Sequence, residues 1–314
     1  MLSYLTHKNL TESLVALNSN SYFSHLTILG ILRIHGKHAK QFLQGQFTND
    51  MEQVNSQKAL WGTCCTIQGR MIANFLIWQQ EDNYYLVMSC DLIDTLIQAL
   101  QKYQLRSEVI FENLNDRFTL VGMGFVSASF FLKNITAPKA IYQIHSLDEI
   151  TYIPLPGKTL IASMPNPIFQ QHQIALQEIA PFIDPVYWQL TQIQSGIPWI
   201  NSYTTEAFLP QMASMDFLGA ISLTKGCYKG QEVVARAHYI GQVKRHLYHI
   251  KSNAALKEGE LLKENANIIG QIIAICPTNS INYEALAVIK DTLWAEQSTL
   301  ILSNKTLQKM ALFS

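Results

Sequence analysis

The sequence lacks an excess of either charge: 23 Lys and Arg residues balance 23 Asp and Glu, and only 15% of the 314 residues are charged. No global field therefore draws the protein toward nucleic acid, a membrane surface or an acidic partner, and any anion site must be local. Long apolar runs are missing too. The most lipid-like stretch, 118–132, is about fifteen residues and is interrupted by Gly, Ser and Thr, short of the roughly 20 that a membrane helix needs. It reads as a buried strand running into a helix. The N-terminal MLSYLTHKNLTESLVAL has no basic segment leading into an apolar one and no small-residue cleavage site, so secretion is not expected and the cytoplasm is the expected compartment. Five cysteines, Cys64, Cys65, Cys90, Cys227 and Cys276, form no CxxC pair and no Cys/His group at zinc spacing, which implies reduced thiols and no metal. Cys64, Cys65, Cys90 and Cys276 lie in apolar runs and are expected to be buried as small hydrophobes. Internal repeats, low-complexity tracts and flexible linkers are also missing.

What is present is enough apolar material, 48%, to bury a sizeable core divided into two or three lobes. Residues 24–35 alternate as a strand, Gly36 turns the chain, and 37–44 form a short helix stopped at Gly45. Three strands are expected over 59–90, with turns at 68–69 and 81–83. A helix over 92–103 follows, capped by Asp91 and burying Leu92, Leu96 and Leu100. Further strands are expected at 107–112, 117–125, 140–146 and 150–163, with helices at 126–134 and 169–180. Asp184-Pro185 starts a helix that carries Trp188 and stops at Gly196. Residues 197–221 have no sustained period and read as irregular, site-lining chain. Beyond Gly241, strand-like runs at 243–250, 268–275, 282–289 and 298–303 suggest a small β domain. The class is α+β with mainly antiparallel sheets, with a first region 1–241 followed by a small β domain over 242–314 that reads as a barrel or a two-layer sheet.

The stretch KGCYKGQEVVARAHYIGQVKR, 225–245, stands out. Between Lys225 and Lys251 lie six Lys or Arg residues and one acid, Glu232, in an otherwise neutral chain. Residues 231–239 are good helix formers, with Glu232 and Arg236 spaced for an i,i+4 pair, so Gly226 to Gly230 would be a turn delivering a helix N-terminus. Cys227 would then face free backbone N–H groups, with Lys225 and Lys229 two residues away. Both effects lower a thiol pKa, and the expectation is a reactive cysteine at a local anion site. Spacing alone also allows a bland alternative in which the glycines shape a turn and Cys227 fills a gap. Metal ligation by Cys227 with His238, His246 or His249 has no specified geometry.

Lys225-Gly226-Cys227-Tyr228, one variable residue, then Gly230-Gln231-Glu232 resembles the K-G-C-[FY]-x-G-Q-E signature of the YgfZ family, folate-binding relatives of the glycine-cleavage T-protein. GKHAKQFLQGQFTND, 36–50, resembles the family's opening segment, and CTIQGRMIANFLIW resembles its second hairpin with a Gly-Arg turn at Arg70. The resemblance implies three lobes around a central opening, two interleaved α+β lobes over 1–241 and a last, small β-barrel over 242–314. It implies bound tetrahydrofolate, a functional thiol at Cys227, and a role in maintaining iron–sulfur enzymes, including those that thiolate tRNA. Folate would need aromatic walls, polar partners and cations, for which Trp188, Tyr228, Arg236, Gln194 and Arg70 are the candidates.

Departures from the related patterns limit the chemistry. The T-protein's acidic pair is matched by Ala73 and Asn74, which removes the carboxylate that aminomethyl transfer needs. Gln194 stands where relatives carry a pterin-facing glutamate, and Leu29-Gly30-Ile31 where some carry a tryptophan. The expectation is a folate-binding accessory protein without classical turnover. A folate-dependent one-carbon transferase, with Asp50 or Glu232 as candidate acids, is the alternative. Direct RNA binding through Lys225, Lys229, Lys244 and Arg245 is a third reading that the neutral charge disfavours. A monomer is expected.

Overall fold

In the computed structural model, the described residues are 7–131, 140–239, 241, 243–264, 266–294, 298–302 and 305–313. The first half of the chain forms α1 (His7–Asn18), β1 (Phe23–His25), β2 (Leu29–His35), α2 (Ala39–Gln44), β3 (Leu60–Cys65), β4 (Met71–Gln80), β5 (Asn83–Ser89), α3 (Ile93–Gln104), β6 (Ile110–Asn113), β7 (Phe118–Gly124) and α4 (Phe125–Phe131). The second half forms β8 (His145–Leu147), β9 (Ile150–Leu155), β10 (Thr159–Pro165), α5 (Asn166–Ile179), α6 (Pro185–Gln194), α7 (Gln231–Tyr239), β11 (Arg245–Ser252), β12 (Leu261–Glu264), β13 (Asn267–Pro277), β14 (Tyr283–Lys290), β15 (Thr299–Leu302) and β16 (Lys305–Phe313).

Three sheets result, in strand order β1-β7-β10-β9-β8, β3-β4-β5-β2-β6 and β12-β13-β14-β11-β16-β15. Their strand pairings are antiparallel. The first sheet takes β1, gives way to β2–β6 in the second, and resumes with β7–β10. The third sheet curls into a nearly closed, barrel-like form.

Burial patterns explain the layers. β14 alternates: Ala285, Ala287 and Ile289 enter the third lobe's own core, while Leu286 and Val288 join the large core shared with the second lobe. Period-2 side-chain direction thus lets one strand serve two cores. The joint is α6. Its Asp184 carboxylate accepts from the Val186 N–H at 2.9 Å, with Pro185 in the first turn, as the sequence suggested. Tyr187, Trp188, Gln189, Leu190, Gln192 and Ile193 are all buried, because this helix is wedged among α1, β1, β13 and β14.

Several expectations need correction. The single strand over 24–35 is two strands in different sheets, separated by a turn at 26–28. Leu26 and Leu29 are both buried, so the apolar pattern runs across the break without marking it. Asp91 does not cap α3. It lies in a 3₁₀ turn, and its carboxylate accepts from the Ser89 hydroxyl at 2.8 Å and the Ser202 N–H at 3.0 Å. The stretch 150–163 is a hairpin turning at Gly157, and only His145–Leu147 of the region near 140–146 belongs to a strand. The helix end expected at 132–134 lies outside the described residues. Leu92, Leu96 and Leu100 are buried as expected. No described helix is long and apolar enough to cross a membrane.

Candidate functional site

The stretch leading into α7 is sewn onto the connection between α2 and β3. The Ser222 N–H donates to the Thr48 carbonyl at 2.8 Å and the Lys229 N–H to the Gly45 carbonyl at 3.0 Å. Between them the Lys225 ammonium donates to the Phe47 and Asn49 carbonyls at 2.9 and 2.8 Å. Gly230 then rests on the β3–β4 turn. Its φ is +83°, and a Cβ there would lie 2.4 Å from the Thr66 carbonyl oxygen, so both backbone conformation and space require glycine. Three segments far apart in sequence, around 45–50, 65–70 and 222–232, therefore meet at one place.

α7 starts where the sequence places it. Gln231 accepts from the Tyr228 N–H through its side chain at 3.2 Å and donates its own N–H to the Tyr228 carbonyl at 3.1 Å. Glu232 and Arg236 are exposed and form no ion pair within the described residues. Cys227 is exposed, four residues before the helix, and its thiol makes no hydrogen bond with a described residue. Gly230, at φ +83°, separates this exposed position from the first residue of α7. Gly226 is also exposed, with nothing within 4 Å of the point a Cβ would occupy and no positive φ, so it is not a turn-former. Cys64, Cys65 and Cys276 are fully buried, and burial pushes the Cys65 thiol up to about 12. Cys90 is only partly buried, since it begins the 3₁₀ turn that closes β5.

On either side of Cys227 in sequence, Lys225 and Tyr228 are buried. Lys225 is 9% exposed and no described carboxylate lies within ion-pair distance. Burial lowers its ammonium to about 8, with the more distant Asp50 charge resisting. Its Nζ sits 5.2 Å from the centre of the Tyr228 ring. The Tyr228 hydroxyl is buried without a hydrogen-bond partner among the described residues, and burial pushes its pKa up.

No hydrogen bond, ion pair or ring contact within the described residues joins any two of the five folate candidates. Trp188 is 0% exposed, its indole N–H donating to the Thr159 hydroxyl at 3.2 Å and its ring pressed against Gly122. It presents no free face to a ligand in this conformation. Gln194 donates to Glu284 at 3.2 Å, Arg70 donates to the Ala207 carbonyl at 2.5 Å, and Arg236 points to solvent. Ala73 and Asn74 are fully buried, and Asn74 donates to the Pro198 carbonyl at 2.6 Å while accepting from the Ile200 N–H at 2.9 Å. An ionised aspartate has no donor for the first bond, so the amide here serves the fold. At Gly30 a Cβ would meet the Asn115 side chain at 2.4 Å, so a larger residue there requires Asn115, which accepts from the Ile31 N–H, to move.

Sequence reasoning did not specify a cleft of about 200 Å³ lined by Leu29, Cys90, Asp91, Trp199, Tyr203 and Glu258. Burial raises the Glu258 carboxyl, although Gln189 and Asn201 donate to its two oxygens at 3.0 and 3.1 Å. The buried Trp199 indole N–H has no partner among the described residues. The stretch 197–221, read from the sequence as irregular and site-lining, supplies Trp199 and Tyr203 to it.

An α+β chain with two interleaved antiparallel lobes and a third barrel-like sheet is the architecture of the glycine-cleavage T-protein. The structure superposes on the glycine cleavage system aminomethyltransferase T from Bartonella henselae with a TM-score of 0.76, covering 96% of this chain and 88% of that one at 13% identity. No family model matches the sequence. It is 30% identical over 233 residues to the tRNA-modifying protein YgfZ of Vibrio vulnificus (strain CMCP6), covering 74% of this chain and 70% of the relative. It is also 28% identical over 276 residues to the protein of that name from Yersinia pestis (strain Pestoides F), covering 85% and 83%. The chain belongs to the YgfZ family.

Proposed function

We propose that this protein is a folate-binding accessory factor for iron–sulfur enzymes that modify tRNA, with Cys227 as its working thiol. One observation carries the reading: Cys227 is the exposed cysteine, displayed on a loop that is tied down on both sides by backbone bonds to Thr48 and Gly45. A fixed loop with an open thiol suits transient contact with a partner better than structural filling. The tRNA-modifying name of the relatives supports the same reading. Replacing Cys227 with Ala should leave the melting temperature unchanged and lower thiolated tRNA in a complementation strain. Full complementation by folded C227A overturns the proposal.

For folate, the cleft that Trp199 and Tyr203 line supports a position different from the one around Trp188. Its volume of about 200 Å³ suits a bicyclic pterin head, with Trp199 and Tyr203 as walls and Asp91 and Glu258 as acceptors for ring N–H groups. The remainder of the molecule would extend into solvent. Titrating tetrahydrofolate under reducing conditions should quench tryptophan fluorescence saturably, more weakly in Tyr203→Ala and unchanged in Arg236→Ala. Absence of quenching rejects folate. The transferase alternative loses support because Asn74 is enclosed and Asp50 and Glu232 do not line the cleft.

A further inference from the structure

We infer that the groove between α2 and the α3–β6 turn is a docking site for an acidic polypeptide segment bearing one apolar side chain, the segment by which a client protein approaches Cys227. The inference rests on the reading of Cys227 as a working thiol and adds the kind of partner that reaches it.

The groove is open, about 890 Å³, with Phe42 and Gly45 on one side and Leu105 and Arg106 on the other. It adjoins the thiol loop, because the Gly45 carbonyl in its wall accepts from the Lys229 N–H. Cys227 is two residues from Lys229, at most about 7 Å along extended chain. The far wall is joined to the same loop through Tyr103, 40% exposed, whose ring lies 4.7 Å beneath the Lys229 ammonium.

Leu105 is 92% exposed with φ +44° and ψ −108°. An L-residue rarely adopts that backbone conformation, and a leucine there gains nothing from the core. It does present an apolar side chain to the groove that Phe42 also lines. None of the groove-lining residues is acidic, whereas Arg106 lines it and Lys229 stands at its edge. His38 accepts the Glu108 N–H on Nδ1 at 3.0 Å, which leaves its Nε2 side as a donor. Gln41, Gln46 and Ser107 complete the lining, and two apolar side chains set beside the cations of Arg106 and Lys229 complement an apolar side chain flanked by carboxylates. Single-stranded RNA fits less well: it needs stacking faces, and the nearby ring of Tyr103 is already covered by Lys229.

The test uses the full chain and three fluorescein-labelled probes followed by anisotropy: a peptide with a single central Leu and Asp/Glu flanks, the same centre with Lys flanks, and a decauridylate. The acidic peptide should bind saturably, at least tenfold tighter than the Lys-flanked one, and should slow alkylation of Cys227 by iodoacetamide. Leu105→Ser and Arg106→Glu, both at exposed positions, should each weaken it at least fivefold. Binding by Cys227→Ala should be unchanged, so a failed complementation test and a failed docking test are separate results. No saturable binding, equal binding of the two peptides, insensitivity to both substitutions, or displacement of the peptide by decauridylate at lower concentration would each overturn the inference.

Discussion

Glu284 and Lys225 are almost equally enclosed, 7% and 9% exposed, yet their surroundings treat them in opposite ways. Glu284, on β14, accepts from His249 on β11 at 2.8 Å and from Gln194 on α6 at 3.2 Å, with the Lys251 ammonium 3.5 Å away. Burial works to raise its carboxyl, but these bonds and charges outweigh it and hold the group below the ordinary carboxylate range. Lys225 has two carbonyl oxygens and no carboxylate, and its proton is loosened. A buried charge that is fully paired locks a joint, here α6 to the third sheet. One left with neutral partners holds a loop in place while its own proton remains exchangeable near neutral pH.

Breaking the paired site should have the largest effect. His249→Ala leaves Glu284 enclosed with only Gln194 and the half-exposed Lys251, and should cost about 3 kcal/mol in urea denaturation at pH 7, at the low end for a broken buried pair. The sign with pH follows from the lowered carboxyl. Its stabilisation is present above the unfolded carboxylate pKa of about 4.5 and is lost as pH falls through the folded value. That acid limb should shrink in the variant. Gly230→Ala comes next, at about 2 kcal/mol, since a Cβ would collide with the Thr66 carbonyl at a positive φ. Unchanged thermal stability in that variant would remove the argument that the motif loop is anchored on the β3–β4 turn.

How much of this was readable beforehand depends on whether a residue's role is local. The start of α6 at Asp184-Pro185, the buried leucines of α3 and the onset of α7 follow from caps and periodicity within one element, and the structure has them. The split of 24–35 between two sheets is decided by which partner strand each half meets, and alternation is blind to that. The same limit applies to the site. The motif marked its own loop, but that Lys225 reaches the carbonyls of 47 and 49 is a contact across 176 to 178 positions, and no spacing encodes it. Trp188 illustrates the converse: a tryptophan on a helix reads alike as ligand wall or core filler, and here the core encloses it.

The unpaired site should respond less, and differently. Lys225→Met removes two hydrogen bonds but also a desolvated charge, so the net change at pH 7 should stay within about 1 kcal/mol. The informative quantity is the difference between the two proteins as pH rises. The folded ammonium titrates at about 8, below its ordinary value of 10.5, so across that window the unfolded chain holds more protons than the folded one. Stability of the native protein relative to K225M should therefore increase from about pH 8 to 10.5. Taking the difference cancels the opposing contributions of the buried tyrosines and cysteines. A flat difference would show that Lys225 is not desolvated.

The smallest expected effect on folding is at Gly226, and it sharpens the contrast between what the loop needs to fold and what it needs to act. Nothing lies within 4 Å of a Cβ at this position and its φ is not positive, so Gly226→Ala should change stability by less than about 0.5 kcal/mol. The fold makes no demand for glycine there, so on the proposal that Cys227 is a working thiol this variant tests whether a partner passes over the position. The expected result is an intact melting temperature with reduced thiolated tRNA in the complementation strain. Full complementation by Gly226→Ala would mean that the partner reaches Cys227 from another side.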